Sequence, residues 1–308
     1  MQADAMPEAM RPADRQRPAD RRRPALPRCD APEILARLPA AARGPGSARQ
    51  LDLFLDYDGT LAGFAPTPEN PVPDGRVIRL LSALVAAPHI RVAVISGRRL
   101  DHLEVLLPVK GLLLAGTYGM ELRDEDGRLS TRLPFRRVRP RLETLKPAWA
   151  RLVDGRAGFF LEDKGWSLAL HARFADDAEA DAVVREARSL AGPAVADEDA
   201  VRLQLLGGHK FLEIAPVDAD KGRVVEDLLS RPPAAGERQA LPLGCAGALP
   251  PMPVYIGDDD KDEKAFAVIR RYDGLALLVA RRPRATLACC RLPSPAAARA
   301  WLARLAAA

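Results

Sequence analysis

With 308 residues, 48% of them hydrophobic, the chain is long enough for two modest domains or for one domain carrying a large insertion. Aromatics make up only 5%, so Ala, Leu and Val must furnish most of the core. No apolar run approaches the ~18–20 residues of a membrane span, the N-terminus lacks the apolar stretch of a secretory signal, and the net charge of +5 is mild, so a soluble, cytoplasmic protein with no membrane partner is expected.

The charge is unevenly spread. Much of the excess lies in residues 1–48, where R-P-A-D-R occurs twice (Arg11 to Arg15, Arg17 to Arg21) ahead of Arg22 and Arg23. This Arg/Pro/Ala stretch has no apolar periodicity before Ile34 and Leu35 and is expected to be a disordered tail. Asp4, Glu8, Asp14 and Asp20 count against a transit peptide, and without interleaved aromatics no nucleic-acid partner is expected. Cys29, Cys245, Cys289 and Cys290 show no C-x-x-C spacing, so reduced thiols are expected, with neither a zinc site nor a disulfide framework.

Organised structure is expected from residue 49. Leu51 to Leu55 reads as a buried parallel strand, Arg76 to Ala87 as a helix, Ile90 to Ile95 as a second strand, Leu100 to Leu107 as a helix stopped by Pro108, and Gly111 to Ala115 as a third strand. This alternation predicts an α/β fold with a doubly wound, Rossmann-like parallel sheet over 49–133 and 216–308. Between them, 134–215 changes rhythm. A helix (Val138 to Val153), an alternating run (Gly158 to Arg173), another helix (Ala175 to Leu190) and short strands near 201–206 and 210–214 suggest an inserted α+β cap domain. The parallel pattern resumes with a helix from Lys221, a Pro/Gly-rich loop over 231–252 that is expected to be mobile, a strand at Pro253 to Gly257, a helix from Asp262 and a last strand at Gly274 to Val279. Pro295 to Leu305 reads as a closing helix.

In an open parallel sheet the loops after the strands build the ligand crevice, and here each such loop holds a polar cluster. The first strand ends in Asp56-x-Asp58-Gly59-Thr60. One carboxylate could attack phosphorus while the other delivers a proton to the departing oxygen; Gly59 permits the turn and Thr60 could donate to a phosphate oxygen. Ser96-Gly97-Arg98 follows the second strand, where a hydroxyl and backbone N–H groups could cradle phosphate. Lys221 opens a helix and could offset the crowded negative charge. Gly257-Asp258-Asp259-x-x-Asp262 crowds carboxylates that repel unless a cation binds them, and oxygen-only ligation suits Mg²⁺. Counted by residue abundance, both aspartate motifs in this order should coincide by chance in roughly one chain in 10⁵.

These four elements in this order resemble the haloacid dehalogenase superfamily of phosphohydrolases, over residues 50–285. The resemblance implies Asp56 as nucleophile, Asp58 as general acid and base, and Ser96 and Lys221 as the phosphate-holding pair. It implies Asp56, the Asp58 main-chain oxygen and Asp258 as Mg²⁺ ligands, with Asp259 and Asp262 supporting the metal or its waters.

The place of the insertion, with L-A-G-T-Y-G-M-E (Leu114 to Glu121), E-D-K-G-W-S-L-A-L-H-A-R (Glu162 to Arg173) and F-L-E-I-A-P (Phe211 to Pro216), is similar to the trehalose-6-phosphate phosphatases. That implies a sugar-phosphate hydrolase in which Glu162 and Lys164 meet sugar hydroxyls, with Gly97, Arg98 and Tyr118 beside the substrate; separately, a monomer is expected. The same chemistry on a glycosyl-phosphoglycerate or sucrose-6-phosphate, or a catalytically silent regulatory protein on this fold, are the alternatives. Two positions depart from that family's pattern: Tyr118 stands where His is usual, and Lys261 where Thr is usual.

Overall fold

The structure is a computed structural model that describes residues 26–38, 50–63, 72–197, 201–208, 210–230 and 250–307. A short α1 (Pro32–Leu35) precedes β1 (Leu51–Leu55), α2 (Gly75–Ala86), β2 (Ile90–Ile95), α3 (Leu100–Leu106), β3 (Leu113–Gly116), β4 (Glu121–Arg123) and β5 (Leu129–Thr131). Then come α4 (Phe135–Val153), β6 (Phe160–Asp163), β7 (Leu168–His171), α5 (Asp177–Ala196), β8 (Leu203–Gly208) and β9 (Phe211–Pro216). The chain closes with α6 (Lys221–Ser230), β10 (Met252–Gly257), α7 (Glu263–Arg271), β11 (Leu275–Val279), β12 (Cys290–Leu292) and α8 (Pro295–Ala306).

Eight strands form one sheet in the order β12-β11-β10-β1-β2-β3-β4-β5, parallel from β12 to β3, with β4 and β5 added antiparallel at one edge. The expected doubly wound α/β core is therefore present. Its central parallel strands are mostly apolar, Asp52 in β1 and Arg91 in β2 apart, because both faces are covered. Leu51, Leu53 and Leu55 pack in the layer that holds Val77, Leu81, Trp301 and Leu302, whereas Phe54 and Tyr255 pack opposite against Val224, Val225 and Phe266. The reversal of strand order beside β1 opens the crevice at the carboxyl ends of β1 and β10.

The other sheet, in the order β6-β7-β9-β8, is wholly antiparallel and is backed by α4 and α5. Pro140 and Pro147 lie inside α4 and Pro193 inside α5, which runs past the end expected at Leu190. None of the described helices is long and apolar enough to cross a membrane.

Two expectations need correction. Residues 26–38 are not a disordered tail: Arg28 bridges to Arg291 beside β12, the Trp301 indole donates to the Cys29 carbonyl at 3.3 Å, and Ile34 and Leu38 are buried in the core. Nor are all the thiols reduced, since Cys29 is bonded to Cys290 across 261 residues, with Cα atoms 5.1 Å apart. Sequence spacing could not show this, because the contact exists only once β12 joins the sheet edge. Cys289 is free. The tail expectation for 1–25 and 39–48, and that of a mobile loop over 231–249, fall outside the described residues.

Candidate active site

β1 and β10 are neighbours in register, Leu55 facing Ile256, so the two aspartate motifs leave the sheet side by side. Gly59 lies at φ 76°, and a Cβ there would come within 2.1 Å of the Asp258 carboxylate, so only glycine lets the loops meet. The carboxylates of Asp56, Asp258 and Asp262 can place oxygens within 4.8 Å of one another. Lys221, buried at the start of α6, answers part of that charge, with Nζ 2.9 Å from Asp56 and 2.7 Å from Asp262.

Asp262 is committed to scaffolding. One oxygen accepts from Lys221 and, at 2.7 Å, from the Tyr255 hydroxyl; the other accepts the backbone N–H groups of Asp258 and Asp259 at 2.9 and 3.0 Å. Asp259 borders the cleft but lies outside the three-carboxylate group, and its side chain accepts the Lys261 N–H at 2.8 Å. Thr60 is fully buried and donates to Asp258 at 3.3 Å. Its hydroxyl thus helps to set the Asp258 carboxylate.

Burial drives the Asp56 carboxyl well above its usual range; Lys221 opposes the shift, while Asp262, Asp258 and Asp259 add to it. Asp258 is likewise pushed up to about 7, by burial first and then by Asp262 and Asp259. Carboxylates held together against their own repulsion are what a divalent cation relieves, so the donor set fits Mg²⁺ in charge and atom type. Because Asp258 must lose its proton to serve as a ligand, divalent-cation affinity is expected to fall as pH drops below about 7, by up to about tenfold per pH unit. Titration calorimetry in two buffers of different ionisation heat should show proton release at acid pH. An affinity flat from about pH 5 to 8 would contradict it. The sign for stability is opposite: without the cation, a raised carboxyl makes the fold lose stability as pH climbs through about 7.

A cavity of about 620 Å³ runs from Asp56, Asp58 and Lys221 to the face of the second sheet. At the β2 end, the buried Ser96 Oγ accepts the Arg98 N–H at 3.2 Å. The Arg98 guanidinium grips both oxygens of Asp58, at 2.6 and 2.7 Å. Gly97 gives the Tyr118 ring its place, since a Cβ there would meet the ring at 2.6 Å. On the opposite wall, Glu162 is held by His171 at 2.9 Å, and Lys164 stands beside it at 3.9 Å. His171 stacks on Phe160, ring centres 4.2 Å apart, in register across β6 and β7. The site thus joins Asp56, Asp58, Ser96, Gly97, Arg98 and Lys221 on one side with Glu162 and Lys164 on the other.

Sequence reasoning passed over Glu213. It lies in the middle of β9, has no exposed surface, and accepts from Ser167 at 2.6 Å and Tyr118 at 2.8 Å, with Lys164 at 3.2 Å. Burial alone would raise its carboxyl, but Lys164 and Lys261, with the two hydroxyl donors, outweigh that and hold it below its usual range. A lone acid inside the apolar run F-L-E-I was the available signal.

The profile of the trehalose-phosphatase family matches residues 54–293. Trehalose 6-phosphate phosphatase RA3 of Zea mays is 30% identical over 89% of this chain and 74% of its own length. A probable trehalose-phosphate phosphatase of Sinorhizobium fredii is 32% identical over 82% of this chain and 87% of its own. Among solved structures, the C-terminal domain of C. albicans trehalose-6-phosphate phosphatase superimposes with a TM-score of 0.75 at 22% identity, covering 92% of this chain and 99% of that one, a likeness of fold. The aspartate pairs that end β1 and β10 fall within the matched span, and the chain belongs to the trehalose-phosphatase family.

Proposed function

We propose that this protein hydrolyses trehalose 6-phosphate to trehalose and phosphate through a phosphorylated Asp56. The observation that carries the reading is the meeting of Asp56 with Asp258 and the buried Lys221, where Asp56 and Lys221 line one end of a cavity whose far wall holds Glu162 and Lys164. The reactive end suits a phosphate dianion, and the far end offers an acceptor and donors to a polyol. Phosphate monoesters resist water strongly enough to need accelerations of up to ~10²¹-fold, which positioning and electrostatics must largely supply.

In the first step an Asp56 oxygen bonds to phosphorus, the bond from phosphorus to the sugar oxygen breaks, and Asp58 gives that oxygen its proton. In the second, water bonds to phosphorus and passes a proton to Asp58, and the Asp56–phosphorus bond breaks to release phosphate. Mg²⁺, held by Asp56, Asp258 and the Asp58 main-chain oxygen with Asp259 and Asp262 in support, would neutralise phosphate charge while it is bound. Lys221 holds the Asp56 carboxylate from behind, and Ser96 and Gly97 offer donors to phosphate. Arg98 must loosen its grip on Asp58 before Asp58 can donate a proton, and a phosphate dianion is a suitable competitor for the guanidinium.

The second sheet with α4 and α5, residues 134–215, serves as a cap that excludes water. A cytoplasmic monomer with no nucleic-acid partner completes the reading. One observation runs against the compartment: a bond such as Cys29–Cys290 persists mainly in oxidising surroundings.

Phosphate release from a panel of sugar phosphates, with Mg²⁺ and with EDTA, tests the substrate. Metal-dependent selectivity for trehalose 6-phosphate is expected. Preference for sucrose-6-phosphate or a glycosyl-phosphoglycerate would discard the substrate and keep the chemistry, and silence across the panel would discard both.

A further inference from the structure

Two side chains of the core reach across the cleft to the carboxylate that the cap keeps out of solvent. Of the groups around Glu213, Ser167 and Lys164 belong to the cap, and Tyr118 and Lys261 to the core. The Tyr118 hydroxyl donates to Glu213 Oε2 at 2.8 Å and accepts from Lys261 Nζ at 2.9 Å. Lys261 itself stands 4.0 Å from the same carboxylate oxygen, and its ammonium lies 4.3 Å from the ring centre of Phe211, two residues before Glu213 on β9. The arrangement is built with some strain. Tyr118 adopts φ 55°, a region a bulky side chain rarely enters, and Gly97 leaves room for its ring.

We infer that Tyr118 and Lys261 are positioning residues that latch the cap to the core through Glu213, holding Glu162 and Lys164 over the reaction centre. The inference rests on the phosphatase reading for what is held in place. If β9 swung away, Glu213 would keep Ser167 and Lys164, whereas the Tyr118 hydroxyl and the Lys261 ammonium would have to find water. Bonds to a charged group are among the stronger ones in a dry site, so the closed arrangement has contacts that an open one lacks. Lys164 shares Glu213 with Tyr118, so fastening the cap also fixes the ammonium that faces the sugar. Lys261 belongs to the loop carrying Asp258, Asp259 and Asp262, which anchors the latch at the metal-binding end.

The test pairs kinetics with a distance. Spin labels are placed at Leu190 on the cap and Tyr272 on the core, both exposed, with Cys245 and Cys289 replaced by serine. Tyr118→Phe and Lys261→Met keep the ring and the aliphatic stem, so the fold has no reason to fail. Each is expected to shift the label separation toward longer values and to raise KM for trehalose 6-phosphate about tenfold, the equivalent of one bond to a charged group, with kcat changing less. The double variant should be little worse than either single one, because both act through one contact. Label separations that superimpose on those of the parent in all three variants overturn the latch, whatever KM does. If the separations shift but no sugar phosphate is hydrolysed, the latch stands and the phosphatase reading falls.

Discussion

Asp56→Asn is expected to lower turnover of trehalose 6-phosphate by about 10⁴-fold or more, the scale seen when a nucleophile is removed. The amide keeps the shape of the side chain but cannot form the acyl phosphate. Unfolding would not account for the loss. Asp56 is a buried carboxyl pushed well up by desolvation and by three neighbouring carboxylates, and Lys221 opposes that shift. A neutral amide removes that repulsion, while Lys221 retains Asp262 at 2.7 Å. The metal-free variant should therefore melt at or above the temperature of the parent, and its Mg²⁺ affinity should fall with the loss of one ligand charge. Steady-state phosphate release and a thermal melt check the two halves. A variant keeping more than about a hundredth of parental turnover would remove Asp56 from the nucleophile's role.

That Asp56 could be picked out from sequence follows from where it sits. It follows a strand that is apolar but for Asp52, and a parallel sheet buried on both faces writes such strands as near-continuous hydrophobic runs. Asp58, Ser96, Asp258 and Lys221 were legible for the same reason, each lying just after a strand or opening a helix. What stayed hidden was set by contacts between distant segments. Glu213 reads as one acid in a core strand until Tyr118, Lys164 and Ser167 gather around it from 95, 49 and 46 residues away. Thr60 sits in the motif that suggested a phosphate donor, yet the close approach of the β10 loop gives its hydroxyl to Asp258. Cys29 and Cys290 needed the N-terminal segment to dock on β12. The short β4 and β5 lack the apolar run of a central strand; β5 is exposed along its length and, among the described strands, pairs with β4 alone. Local pattern shows which residues leave a strand end; it does not show which loop they meet.

Asp58→Asn is the change that separates the two steps. On trehalose 6-phosphate the departing group is an alkoxide without a proton donor, so turnover is expected to fall by about 10²–10⁴-fold, the usual contribution of general acid–base catalysis. On p-nitrophenyl phosphate the departing phenolate needs no proton, so Asp56 should still be phosphorylated at a useful rate. Hydrolysis of that intermediate, which relies on Asp58 to take a proton from water, should remain slow. The variant is therefore expected to release a burst of about one nitrophenolate per site and then stall, with the phosphorylated chain visible by intact mass. Arg98 sharpens the comparison. Its bidentate grip on Asp58 requires two anionic oxygens, and an amide offers only one acceptor, so the guanidinium is freer to follow phosphate. Substrate binding should then hold steady or tighten while kcat collapses. Equal losses on both esters with no burst would mean that Asp58 serves mainly to hold Arg98, and the proton would have to come from another group lining the cavity.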